Sequence, residues 1–160
     1  MVVSVRNLIE FVLRSGDIDS GFSSSSNAAD GIRLHKKLQK AEGDGYNAEV
    51  WLSIDICRPD GMITLEGRAD GIILRDNKVT IDEIKSTATP LDQIDIDYDP
   101  LHIAQGKCYA FIYATQNALE CIDVRLSYCN IEDEAVKYIV NTFTTDELTI
   151  FINAILDDYI

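Results

Sequence analysis

The sequence predicts a single α/β domain of the α+β type, in which a mixed central sheet is flanked by helices. Three observations favour this fold class. The chain of 160 residues has the length of one domain, so residues 1–160 are taken as a unit. Hydrophobic residues make up 46% of it, as in ordinary globular proteins. Segments with helical and strand-like patterns follow one another in the order α-α-β-β-β-α-β-β-α, without an internal repeat.

The first quarter of the chain predicts two helices. Val5–Leu13 has amphipathic spacing. A second helix is expected over about 27–42, and Gly43 and Gly45 would end it. Its apolar stripe is expected to contain Ala28, Ile32, His35 and Leu38.

The middle of the chain predicts an antiparallel meander of three strands. The strand-like segments are Ala48–Cys57, Met62–Leu74 and Lys78–Ser86. Turn residues at 59–61 and 76–77 separate them, and the second turn is short enough for a tight hairpin.

The second half predicts a helix, two strands and a last helix. Thr144 or Thr145 is expected to cap the last helix, with Glu147 placed as in a capping box. Residues 87–99 form a loop rich in aspartate. The predicted elements span Leu101–Asn117, Ile122–Asn130, Ala135–Phe143 and a final helix to about Tyr159.

The net charge of −13 disfavours nucleic-acid binding when it is taken alone, since such proteins usually carry a basic surface. Two features reduce the objection. Clustered carboxylates that hold a divalent metal have their local charge reversed by it. The second predicted helix also gathers four cations, namely Arg33, Lys36, Lys37 and Lys40.

Cysteine spacing and hydropathy exclude several classes of protein. The four cysteines contain no C-x-x-C pair, which disfavours a zinc site and a disulfide scaffold, so we expect buried reduced thiols. No apolar run is long enough to span a bilayer, and the N-terminus does not resemble a secretory signal. We therefore expect a cytoplasmic protein that does not enter membranes.

The most informative residues lie on the second and third strands. Because strand side chains alternate, Glu83 and Lys85 are expected to share a face, with Asp82 on the other. The tight turn would bring Asp70 beside Glu83. Two adjacent carboxylates repel unless a cation joins them, and Mg²⁺ prefers such oxygen ligands; the Ile84 carbonyl is a further candidate. The alternative is a solvated hairpin face of mixed charge.

Four motifs give this pattern a family. The order G-R-A-D-G at 67–71, a hairpin, and D-E-I-K-S at 82–86 resembles the PD-(D/E)xK nuclease superfamily. The sequence Q-G-K-C-Y at 105–109 is similar to the Q-x-x-x-Y motif of its RecB-like branch. G-I-R-L-H at 31–35 is similar to the G-x-x-x-H motif of that branch. The resemblance implies a restriction-endonuclease-like fold and covers about residues 31–109.

The resemblance also implies roles for these residues. Asp70 and Glu83 would be catalytic metal ligands, Lys85 the catalytic lysine, and His35 an additional ligand. Gln105 and Tyr109 would bind substrate or support the site. The alternative for His35 is an ordinary position at the edge of the core. The alternative for Tyr109 is a position in the core without a role in the site.

Two further residues are weaker candidates for substrate binding or support. Glu49 is either an acidic residue that supports the site or a solvated strand end. Arg68 either contacts phosphate or pairs with Glu66, and the sequence does not separate the two.

The implied function is a Mg²⁺- or Mn²⁺-dependent deoxyribonuclease of DNA repair or recombination, acting as an exonuclease or on single-stranded or end-bearing DNA. The resemblance extends to nuclease modules that precede bacterial repair helicases, so a helicase partner in cis or trans is expected, and the chain would be part of a longer helicase-nuclease. No Walker A loop is present for ATP, and the cysteines are too few for the iron–sulfur cluster of some relatives.

One alternative function is that of a catalytically weak or degenerate nuclease fold that binds DNA or a helicase. The other is an acidic interaction module, for which the loop at 92–99 would be suitable.

Overall fold

The structure, a computed structural model, describes residues 1–13 and 25–160, with side chains from residue 29 onward after the gap. The order of helices and strands predicted from the sequence is confirmed, with one added strand, β1. This strand has only three residues, too few to show the alternation of apolar and polar residues that predicts a strand. The elements are β1 (Val2–Ser4), α1 (Val5–Leu13), α2 (Ser25–Ala41), β2 (Tyr46–Arg58), β3 (Gly61–Arg75), β4 (Lys78–Thr87), a 3₁₀ turn (Leu91–Gln93), α3 (Pro100–Gln116), β5 (Cys121–Asn130), β6 (Val136–Thr144) and α4 (Thr145–Tyr159).

The strands form one mixed sheet in the order β1-β3-β4-β5-β6, and β2 pairs with β3. The predicted meander is confirmed, since β2 with β3 and β3 with β4 are antiparallel. Its tight turn is confirmed as well, because Asp76 and Asn77 both have positive φ, at 54° and 59°. Strands β4 and β5 are parallel, so the chain crosses between them through α3.

The helices cover both faces of this sheet. Helices α1, α3 and α4 contact one another on one face, where Gly106 of α3 lies against the side chains of Glu83 and Val124. Helix α2 lies on the other face, where Gly31 approaches the hydroxyl of Ser86. Residues 83 and 86 have opposite parity on β4, which places the two helices on opposite sides.

Two expectations about burial are wrong. On α2, Ile32 is 59% exposed, and the buried residue is its neighbour Leu34. The helix packs on the sheet through Gly31, whose missing side chain permits the close approach, and this rotates the buried stripe away from residue 32. Cys108 and Cys129 are buried thiols as expected, but Cys57 and Cys121 are exposed.

The C-terminal elements are fixed by specific contacts. The capping box predicted for the last helix is confirmed, with Thr144 and Glu147 each accepting a hydrogen bond from the other's backbone N–H. The acidic loop before α3 is attached to the domain through the buried Ile94 and through Lys137, whose ammonium donates to the carbonyls of Leu91 and Ile94. Among the residues that the structure describes, no helix is both long and apolar enough to cross a membrane.

Gly106 determines how closely α3 approaches the sheet, and its substitution tests this packing. A Cβ at position 106 would lie 2.4 Å from Cγ1 of Val124, a stiff β-branched side chain. We expect the overpacking in Gly106→Ala to lower the free energy of unfolding by about 1–3 kcal/mol. The higher helix propensity of alanine offsets ~1 kcal/mol of this loss. Urea denaturation measures the change.

The control is the same substitution in a Val124→Ala background, which removes the clashing methyl group. There, Gly106→Ala is expected to be neutral or stabilising. An equal loss of stability in both backgrounds would contradict this account of the packing.

Candidate active site

The site lies where β3 and β4 separate. Their pairing ends at Gly71 and Asp82, and the next bonds come from side chains. The backbone N–H of Asp70 donates to Oε2 of Glu83 at 3.1 Å, and the N–H of Ile84 donates to Oδ2 of Asp70 at 2.7 Å. Each carboxylate therefore binds the opposite strand through one oxygen. The structure brings together the two acidic residues that the sequence predicts as metal ligands.

These carboxylates are largely removed from water. Glu83 is 4% exposed, and burial, followed by the charge of Asp70, raises the pKa of its carboxyl group to about 8. Burial also raises the pKa of Asp70, although the Ile84 N–H and the Lys85 charge act against the increase. The pair therefore resists carrying two negative charges in the absence of a compensating cation.

The lysine of the predicted constellation is held by α3. The ammonium of Lys85 donates to Oε1 of Gln105 at 2.6 Å. The D-E-I-K-S motif and the Q-x-x-x-Y motif therefore meet directly. Gly106, the next residue on α3, lies against Glu83. The absence of a side chain at Gly106 thus allows α3 to bring Gln105 to the face that carries Glu83 and Lys85.

Tyr109 is buried on the same helix and reaches β3. A Cβ placed on Gly67 would lie 2.8 Å from its hydroxyl oxygen, so the ring occupies the space that this glycine leaves open. Burial raises the pKa of the Tyr109 phenol, and the charges of Glu83 and Asp70 add to the effect. The residue belongs to the core and lines the site at the same time.

Helix α2 approaches the site from the other side. Nδ1 of His35 lies 4.0 Å from Oδ1 of Asp70, the carboxylate oxygen that the Ile84 N–H does not use. One turn later, Gln39 donates from Nε2 to the carbonyl of Asp70 at 2.8 Å and to Oε1 of Glu49 at 3.1 Å. Gln39 was not predicted, although its i, i+4 spacing from His35 places both on one side of the helix.

Glu49 lies beside Asp70 at an irregular point of β2. Its φ of 57° is rare for a residue with a side chain, and its charge contributes to the raised pKa of Asp70. Its Oε2 is 3.9 Å from Nη1 of Arg68, a distance typical of a weak surface ion pair. Arg68 is therefore loosely paired with Glu49 rather than with Glu66, and its contact with phosphate stays a prediction.

These side chains surround a cavity of about 360 Å³. Four of its residues were not predicted: Arg6 and Glu10, which form an i, i+4 pair on α1, and Leu101 and His102 of α3. Leu101 and His102 had a usable signal, since they lie four and three residues before Gln105 on the same helix. The lining comprises Arg6, Glu10, His35, Arg68, Asp70, Glu83, Lys85, Leu101, His102, Gln105 and Tyr109.

The donor set suits a hard divalent cation, although it is not a closed cage. In residues 1–13 and 25–160, no three histidine, cysteine or carboxylate side chains converge closely enough to surround a metal. Two carboxylates with one oxygen each uncommitted to the backbone, and an imidazole nitrogen nearby, nevertheless match the oxygen-rich ligands that Mg²⁺ takes together with water and phosphate. The arrangement resembles an open site that a substrate would complete.

Comparisons with known proteins agree with this geometry. No curated protein sequence is significantly similar to the chain. A solved structure titled as that of SSO0001 matches 98% of this chain and 75% of its own, with a TM-score of 0.56 and 20% sequence identity. At that identity the likeness concerns the fold alone, and it agrees with a restriction-endonuclease-like arrangement of the sheet and helices.

The sequence comparison is more specific. The profile of the PD-(D/E)XK nuclease superfamily matches residues 23–157, which include β2 to β6 and the whole carboxylate–lysine constellation. The match extends well beyond the motifs quoted from the sequence, into the last strands and helix. The chain belongs to the PD-(D/E)XK nuclease superfamily.

Proposed function

We propose that the chain is a metal-dependent deoxyribonuclease that hydrolyses phosphodiester bonds at the point where β3 and β4 separate. One observation carries the proposal. The buried carboxylate of Glu83 meets the partly buried one of Asp70, with no lysine or arginine of the described residues in an ion pair with either, and a lysine is held nearby by a glutamine. Strongly perturbed carboxylates in a cleft are typical of functional sites.

Asp70 and Glu83 would hold Mg²⁺ or Mn²⁺, with the imidazole of His35 and the carbonyl of Ile84 as further ligands. When bound, such a cation polarises the phosphate and lowers the pKa of a coordinated water. The hydrogen bonds from backbone N–H groups keep both carboxylates oriented, so the ligand geometry is organised by the strands rather than by flexible side chains.

Lys85 would orient the attacking water and balance negative charge on the phosphate. Its hydrogen bond to Gln105 fixes the ammonium near the carboxylates. Tyr109 would support the site from the core, and Arg68, with its largely exposed guanidinium, would contact the DNA backbone. Glu49 would orient this arginine and Gln39.

The G-x-x-x-H and Q-x-x-x-Y motifs support the RecB-like branch, because His35 and Gln105 both reach the site. Single-stranded or end-bearing DNA is therefore the proposed substrate, repair or recombination the proposed setting, and a helicase the proposed partner. The alternative is a degenerate module that binds DNA or a helicase without cutting. The net charge of −13 favours that alternative, and the intact set of Asp70, Glu83 and Lys85 opposes it.

Cleavage of labelled single-stranded DNA with Mn²⁺ tests the proposal. Lys85→Ala and Asp70→Asn are each expected to lower the rate by about 10²–10⁴-fold, as loss of a group that handles the proton or stabilises charge does. Gel analysis of products over time measures the effect.

Two exposed residues of the same hairpin provide matched controls. Lys78→Ala and Asp76→Asn make the same chemical changes away from the site and are expected to keep the wild-type rate. Cutting that survives both site substitutions would show that another site or a contaminant is responsible. Wild-type protein that binds Mn²⁺ and DNA but does not cut would favour the degenerate module.

The raised pKa of Glu83 predicts that metal binding is linked to pH. A cation binds the ionised carboxylate, and in the metal-free protein that group stays protonated until about pH 8. The apparent affinity for Mn²⁺ is therefore expected to rise as pH increases towards about 8 and to level off above it. Below that pH, binding should release a proton.

Calorimetry in two buffers with different ionisation enthalpies, at about pH 6.5, measures the released proton. Glu83→Gln, which carries no titrating proton at this position, is expected to bind Mn²⁺ more weakly and to release fewer protons on binding. Identical heats in both buffers for the wild type would contradict the assignment of Glu83 as a ligand.

A further inference from the structure

Trp51 is the single tryptophan of the chain, and 58% of it is exposed on β2. Tryptophan is on average one of the more buried residues, because its ring removes a large apolar area from water. Trp51 does not belong to the hydrophobic core, whose β2 contribution comes from Val50, Leu52, Ile54 and Ile56. Core packing therefore does not explain this ring.

The position of Trp51 relates it to the active site. Its Cα partner across the β2–β3 pair is Arg68, so the two side chains leave the sheet on the same face. Arg68 lines the catalytic cavity. Asp70 follows Arg68 by two residues on β3, beyond the point where Glu49 interrupts the regular pairing of β2 with β3. The ring thus stands at the rim of the cavity, beside Arg68 of its lining.

Cations lie near this rim together with the carboxylates of Glu49 and Asp70. On α2, Arg33 and Lys37 are ion-paired with Glu134, on the flank away from the site. Lys36 is exposed and lies three residues before Gln39, which contacts both Glu49 and the Asp70 carbonyl. Among the described residues, Lys36 has no ion pair. Arg68 therefore provides positive charge beside Trp51, and Lys36 provides it on the flank of α2 that faces the site.

We propose that Trp51 stacks on an unpaired base of the substrate strand, next to the phosphate that is cut, while Arg68 contacts the adjoining backbone. The identity of the substrate rests on the function proposed above. Every base has an aromatic face, so stacking tolerates any sequence. A base within a duplex already has both faces covered, so an exposed ring at the rim selects single-stranded DNA or a frayed end.

The experiment uses the ring itself as the probe. With EDTA present to prevent cutting, wild-type protein is titrated with a short oligothymidine, and tryptophan emission is followed beside the anisotropy of a labelled oligothymidine. We expect emission to change and saturate at the midpoint given by anisotropy. Trp51→Ala is expected to weaken binding by roughly 5- to 150-fold, the range for loss of one base–aromatic stack, and Trp51→Tyr to restore most of it.

The matched control is Tyr138→Ala, which removes a ring that is 51% exposed on β6 at the opposite end of the sheet. It is expected to bind the oligothymidine as the wild type does. Thermal melting checks that each variant is folded, and because Trp51 is outside the core, its removal should leave the melting temperature nearly unchanged.

The outcomes separate this inference from the proposed nuclease function. Emission that stays constant while DNA binds, or Trp51→Ala binding as tightly as the wild type, overturns the stacking. A blunt duplex that changes emission with equal affinity overturns the preference for unpaired bases. Neither result affects whether the wild type cuts DNA with Mn²⁺. Conversely, stacking without any cutting would leave this inference standing and overturn the proposed hydrolysis.

Discussion

The separation of β3 from β4 is the constraint on which the site depends. Where the ladder ends, Asp70 and Glu83 take the place of main-chain acceptors, each binding a backbone N–H across the gap. These two hydrogen bonds satisfy backbone N–H groups that would otherwise be unpaired where the strands separate. A buried N–H group without an acceptor would destabilise the fold. It also holds two carboxylates together in a place where burial and mutual repulsion oppose their ionisation. The same geometry that completes the sheet therefore favours a bound proton or cation at the two carboxylates.

Positive charge is unevenly distributed over this acidic protein. The cations of α2 are divided between its two flanks, with Arg33 and Lys37 neutralised by Glu134 and Lys36 on the flank of His35 and Gln39. Long-range attraction to DNA would be weak at a net charge of −13 and weaker still in salt. Short-range contacts, such as stacking and a bound cation, would then have to supply most of the affinity, and a partner that brings the DNA strand would increase it.

Strand periodicity explains why so much of the site was predictable. The period of two fixed the shared face of Glu83 and Lys85 whatever the tertiary fold, and the tight turn at 76–77 fixed which residue of β3 lies beside Glu83. Helix docking has no such local signal. Gln39 and Arg6 reach the site only because of how α2 and α1 pack, and the rotation of α2 that buries Leu34 instead of Ile32 follows from a close contact at Gly31. The positive φ of Glu49 could not be predicted from the sequence either, since glutamate rarely adopts this conformation.

Asp82 and Glu83 provide an internal comparison of what burial means for an acid. Both are nearly inaccessible, at 1% and 4% exposure, and they are neighbours on one strand. Asp82 faces α2 and receives hydrogen bonds from Arg125, Ser127 and Tyr46, so its charge is matched on all sides. Glu83 faces α3 and receives one bond from a backbone N–H, with a second carboxylate as its neighbour. A carboxylate whose role is purely structural is expected to be satisfied as Asp82 is, because an unmatched buried charge is destabilising. The contrast between two adjacent residues, separated only by strand parity, is therefore the strongest physical argument that Glu83 is retained for chemistry rather than for the fold.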